Sequence, residues 1–179
     1  MVTVVSDAGP LIHLSQIRKL PLLAQLFGVV LLTEKAKAEA FDNGIRLGYL
    51  DAEAVGTGLA EGWLRVEPFP ISLIKSSVKL AQCENVSLSD AETLLLAVDK
   101  KAELLVDDKS LFYLAKMYRL KVWDTWTLLL EALKKDYLEL NEIKSAIKEL
   151  DNVKFSLNPR QAQEILEAAN IIERHKKNH

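Results

Sequence analysis

Short apolar runs with strand-forming residues recur along the chain at 2–5, 29–32, 63–66, 103–106 and 120–123, the first of them dominated by valine. Most are separated by segments in which apolar residues return at helical spacing. Strands alternating with helices predict an α/β fold: a three-layer sandwich with a central, mainly parallel sheet of about five strands. Two helix starts are marked by their own chemistry. In "SLSDAETLLLAVDKKA", Ser89 followed three residues later by Glu92 has the form of a capping box ahead of an apolar run. In "NPRQAQEIL", Asn158 is the expected N-cap, with Pro159 at the first helical position and Gln161 reaching back. Strand signals stop near Lys135, and the remainder predicts helices over 140–150 and 159–174. Residues 1–135 therefore form the main domain and 136–179 a helical extension packed on it, closing in the short basic run "ERHKKNH".

Composition narrows the class without naming a function. A chain of 179 residues, 49% hydrophobic and 27% charged, is that of an ordinary globular domain. Its formal net charge of -2 gives no whole-chain footprint of a tight duplex binder. Cys83 is the single cysteine, which excludes an internal disulfide and any cysteine-built zinc site. The longest charge-free stretch, 20–33, contains Pro21 and Gly28 and is too short to span a bilayer. No basic leader precedes an apolar core at the N-terminus, so a cytoplasmic protein without a membrane partner is expected.

The chemistry lies in the acids. In a parallel sheet the C-terminal ends of the strands share one edge, where open α/β proteins place their sites. Asp7 ends the first apolar run, Asp107 and Asp108 end "ELLVDD", Asp124 ends "LKVWD", and Asp90 opens a helix. Gathered carboxylates repel, and one takes up a proton unless a cation neutralises the group. Oxygen ligands without histidine or cysteine favour Mg²⁺ or Mn²⁺ over zinc. Such a centre suits phosphodiester hydrolysis, because the metal lowers the pKa of a bound water and offsets charge on the leaving oxygen.

Each acid also has a purely structural reading. Asp7 caps a helix or stabilises the turn that Gly9 and Pro10 signal; Asp90 sits where the helix macrodipole favours an acid. Asp124 or Thr125 is an N-cap for "TWTLLLEALKK", and Glu92 is explained by its capping box. Glu39, in the alternating charged stretch "EKAKAEAF", reads as part of a solvated helical face. Only the set as a whole favours a site.

That set resembles the PIN-domain family of metal-dependent ribonucleases, and within it a PIN-like subgroup of prokaryotic proteins related to the VapC toxins. "VSDAGPLIHL" is similar to the family's first strand and helix start, "VVLLTEKAKAEAF" to its second, "LSDAETLLLA" to its third motif and "LLVDDKSLFYLAKMYRLKV" to its fourth. The resemblance implies Asp7, Glu39, Asp90 and Asp108 as catalytic, metal-binding acids, with Asp107 competing for the last place. It implies Glu92, Asp124 and Thr125 as auxiliary residues, although Asp124 stands where the subgroup usually carries glycine. Implied too are Mg²⁺ or Mn²⁺ as cofactor, an RNA substrate, an antitoxin-like inhibitor protein and a homodimer. Lys35, Lys37, Arg46 and Lys109 are candidates to track phosphates, whereas aromatics are sparse near the motifs, Phe112 and Tyr113 being the nearest, so the sequence does not strongly suggest recognition by base stacking.

Other constellations fall away. "VGTGLAEG" neither follows a strand nor opens a helix, so it is expected to be a flexible helix end or linker rather than a dinucleotide loop. Gly9 occupies the place where an aspartyl phosphatase needs its second acid. His13 lies in an apolar stretch and is expected to be a packed core residue. The competing function is a PIN-like binding or scaffolding module that keeps its acids but does not turn over substrate.

Overall fold

The computed structural model describes residues 3–177; Val2 of the first apolar run and His179 of the basic tail lie outside them. All five expected strands form: β1 (Val4–Ser6), β2 (Val30–Leu32), β3 (Leu64–Val66), β4 (Glu103–Leu105) and β5 (Val122–Trp123). They make one parallel sheet in the order β3-β2-β1-β4-β5. The chain builds outward from β1 to β3, then crosses back to lay β4 on the other side of β1. A switch point therefore falls between β1 and β4, and the crevice beyond their carboxyl ends is where this topology accepts ligands.

Strand side chains alternate between two apolar cores, one on each face. Val4, Val30, Leu32 and Leu105 join one cluster, while Val5, Leu104 and Val122 join the other. The first face is covered by α1 (Ala8–Gln16), α2 (Leu22–Phe27), α5 (Asp51–Glu61) and α9 (Thr125–Lys134), the second by α7 (Leu88–Asp99) and α8 (Lys109–Met117). Between β2 and α5 run α3 (Glu34–Lys37), a π-helical turn (Ala38–Asp42) and α4 (Asn43–Leu47). A 3₁₀ turn (Ile71–Leu73) leads into α6 (Ile74–Glu84), which packs on α7. The C-terminal helices α10 (Leu140–Asn152) and α11 (Pro159–Lys177) lie against α9 and α1, and Ile143, Ala146, Leu150 and Ala169 enter the first core. Among the described residues no helix is long and apolar enough to cross a membrane.

Three local expectations are corrected. The capping box of α7 is set by Ser87 and Asp90, not Ser89 and Glu92: Ser87 is extended, its Oγ accepts from Asp90 N, and Asp90 Oδ2 accepts from Ser87 N. The same serine-to-acid spacing occurs twice in succession, and the earlier copy wins because Ser89 is already inside the helix. The "VGTGLAEG" stretch is the body of α5, not a linker. A Cβ at Gly56 would lie 2.7 Å from the Phe41 ring and one at Gly58 2.6 Å from Trp63, so these glycines let α5 press onto its neighbours. Finally, the turn that Gly9 and Pro10 signal is the first turn of α1 rather than a separate turn, and proline lacks no needed N–H there. The Asn158–Gln161 cap is present as expected, with reciprocal bonds of 2.9 and 3.1 Å.

Candidate active site at the carboxyl edge

β1 delivers Asp7 directly into the crevice. Its backbone N–H still bonds Leu105 O of β4 at 2.9 Å, so the sheet register fixes its height. Its side chain turns back as the N-cap of α1, with Oδ2 accepting from Gly9 N at 3.4 Å. The residue is only 7% exposed. Among the described residues, Oδ1 is the one carboxylate oxygen buried without a hydrogen-bond partner. Burial pushes the Asp7 carboxyl up from 3.8 to about 7; the Ala8 and Gly9 N–H groups oppose this, while the negative charges of Asp90 and Glu39 add to it. These two acids, from α7 and the π-helical turn, thus act on Asp7 through space.

Asp107 stands on the other side of Gly9. A Cβ at that glycine would lie 3.5 Å from Asp107 Cβ and 3.6 Å from Asp7 Oδ2, so the missing side chain leaves the space between the two carboxylates open. Asp107 is held on several sides: Thr125 N donates to Oδ1 at 2.8 Å, Thr125 Oγ1 donates to Oδ2 at 2.7 Å, and His13 Nδ1 lies 2.6 Å from Oδ2. With the carboxylate ionised, Nδ1 is the donor in this contact, because an ionised carboxylate only accepts. The His13 ring stacks on Phe155 with centroids 3.7 Å apart, and Phe155 lies parallel to Trp126 at 5.9 Å.

The other predicted residues sit further out. Asp108 is exposed and caps α8, accepting from Leu111 N at 2.8 Å. Asp124 caps α9 in a reciprocal box with Thr127. Glu92 is buried and pairs with Lys35 at 3.1 Å, tying α3 to α7. Lys37 pairs with Asp42 at 2.9 Å and Arg46 bonds Asn43, so of the four basic candidates it is the exposed Lys109 that borders Asp107. His13 is the contributor that sequence reasoning missed. One signal was available, since Gly9 and His13 are four apart and share a face of α1.

Among the described residues no three carboxylate, histidine or cysteine side chains are gathered into a metal cage. Mg²⁺ does not require one, because it keeps several waters and uses one or two carboxylates plus substrate phosphate. A buried, unpartnered oxygen on an acid whose charge is opposed by burial is a donor set that fits such an ion.

Comparison with known proteins bears on the fold and the family. No curated protein matches the chain in sequence. Among solved structures, the crystal structure of PAE2754 from Pyrobaculum aerophilum superposes with a TM-score of 0.54 at 20% identity, over 73% of this chain and 88% of that one, a likeness of fold. A family model described as a PIN domain matches residues 3–171, nearly the whole chain. The chain belongs to the PIN-domain family.

Proposed function

We propose that the protein is a Mg²⁺- or Mn²⁺-dependent endoribonuclease that hydrolyses RNA phosphodiester bonds at the edge between β1 and β4. The observation that carries this is Asp7: an acid buried at the switch point with a free Oδ1 and a proton affinity raised by its surroundings. Asp7 and Asp107 are assigned as the inner acids, with Asp90 and Glu39 completing the negative field. Asp107 is preferred over Asp108, because Asp108 is occupied in capping α8 and points to solvent. When bound, the ion supplies an activated water and neutralises the leaving oxygen. The chain's own part is positional. Thr125 and His13 fix both oxygens of Asp107, Gly9 keeps the gap clear, and burial keeps Asp7 from being solvated by bulk water. The units assigned are 1–135 for the nuclease and 136–179 for the extension. The VapC-like resemblance adds a toxin role with an antitoxin-like inhibitor, a homodimer and a cytoplasmic location to the same proposal.

The test is thermal unfolding with and without Mn²⁺, run beside cleavage of a structured RNA, on wild type and Asp7→Asn. Expected are a rise of about 5 °C or more at saturating metal, cleavage by wild type, and loss of both in the variant. Retained cleavage in Asp7→Asn sinks the assignment. Metal stabilisation without any cleavage favours the scaffolding module instead.

A further inference from the structure

We propose that the pocket beside Asp107, between the starts of α8 and α9 and the segment joining α10 to α11, is a subsite for one unpaired base of a single-stranded RNA. This rests on the nuclease reading and adds to it how the substrate strand is gripped.

The pocket is about 340 Å³, at the small end of ligand-binding cavities, and Asp107 forms part of its wall. A group seated there is therefore adjacent to Asp107, one of the two inner acids assigned to hydrolysis. The remaining walls are chiefly aromatic: Phe112 and Tyr113 from α8, Trp126 from α9 and Phe155 from the α10–α11 segment. Lys109 stands at the rim and supplies a cation for a flanking phosphate. Asp124, the acid at the far side, has Oδ1 taken up by the α9 cap, where it accepts from Thr127 N at 2.7 Å.

The aromatic rings differ in what the fold asks of them. Trp126 is buried and Phe155 is clamped between His13 and Trp126, so their positions are explained by packing. Tyr113 of α8 is 67% exposed; its ring meets Phe112 edge to face with centroids 5.8 Å apart and is otherwise largely open to solvent. An exposed ring next to fixed rings, a lysine and a hydrolytic carboxylate matches the way single strands are held: bases stack on aromatic faces while cations track the backbone. Every base has a π-face, so the subsite would be tolerant of sequence. It would refuse paired bases, which stay inside their own stack.

The measurement is fluorescence anisotropy of an end-labelled RNA of about ten nucleotides, as a single strand and annealed to its complement. It is made in Mg²⁺ with Asp7→Asn as the parent, so that cutting does not confuse binding. Tyr113→Ala is expected to weaken single-strand binding about ten-fold, within the range found when stacking aromatics are removed. Tyr113→Phe is expected to bind as the parent does, and the duplex at least ten-fold more weakly than the single strand. Tyr113→Ala binding like the parent, or a duplex bound as tightly as the single strand, overturns the proposal. Failure of the nuclease reading looks different: wild type that binds single strands through Tyr113 yet leaves them uncut, which keeps the base subsite and removes the hydrolysis beside it.

Discussion

The ends of β1 and β4 lie side by side, and their carboxylates live under opposite conditions. Asp107 accepts from Thr125 N, Thr125 Oγ1 and His13, so both of its oxygens have partners. Asp7 has one long bond from Gly9 and an oxygen with no partner, and burial pushes its carboxyl up to about 7. The difference separates an acid that is held from an acid that is left wanting. A rigid carboxylate defines where a cation would sit, and an unsatisfied one supplies the free energy for taking it up.

The most damaging way to break this pairing is to remove the held acid. Asp107→Asn is expected to abolish cleavage, whereas Asp108→Asn, which keeps a competent N-cap, is expected to cut within about two-fold of wild type by the equivalence of Asn and Asp as caps. Parallel cleavage assays on the two variants decide which of the doublet is used, and the reverse result would return the fourth place to Asp108.

Next in size is the pH dependence of the metal-free protein. Below about pH 4 the folded and unfolded chains both carry the Asp7 proton, so this group contributes no difference. Between about pH 4 and pH 7 the unfolded chain loses the proton first, and stability falls by up to about 4 kcal/mol as pH rises. Asp7→Asn lacks that loss, so denaturant unfolding of the two proteins in chelator should diverge across this interval, with the variant the more stable at pH 8. Equal curves would mean that Asp7 is not under strain.

A smaller effect is expected at His13. His13→Ala leaves Asp107 one donor short, and metal affinity should fall about 10- to 100-fold, as for other partners of metal-binding residues. His13→Asn, which offers an N–H near the same place, should recover part of it in the same titration. Smallest is Asp108→Ala, expected to cost about 1 kcal/mol in denaturant unfolding through the lost α8 cap and to leave the metal-induced shift unchanged.

The parts of the molecule legible from sequence are those written in local chemistry. All five strands were marked by short apolar runs, and their parallel direction follows from the helices between them, whereas their order in the sheet was not legible. Asp7, at the end of the first run, stood out as one of a set of acids at strand ends, although by itself it is also the ordinary N-cap of α1. What sequence could not supply was the environment that tells the two acids of the doublet apart. Asp107 and Asp108 are neighbours, and only the clamp from residues 13 and 125 separates the buried one from the solvent-facing cap. Glycines were misread for the same reason: Gly56 and Gly58 answer to Phe41 and Trp63, side chains that helix periodicity does not bring to mind. The aromatic wall was invisible because Phe112 and Phe155 lie far apart in the chain and meet only once the C-terminal helices are docked.

The stack of His13, Phe155 and Trp126 also has a temporal side. Asp7 and His13 leave the ribosome early, Asp107 and Trp126 much later, and Phe155 later still. Domains fold as they emerge, N-terminal parts first. An unfinished chain can thus own every acid of the site while its histidine still lacks the ring that holds it flat. On the proposed nuclease reading, the wall of the site that holds His13 is therefore the last part of it to be made.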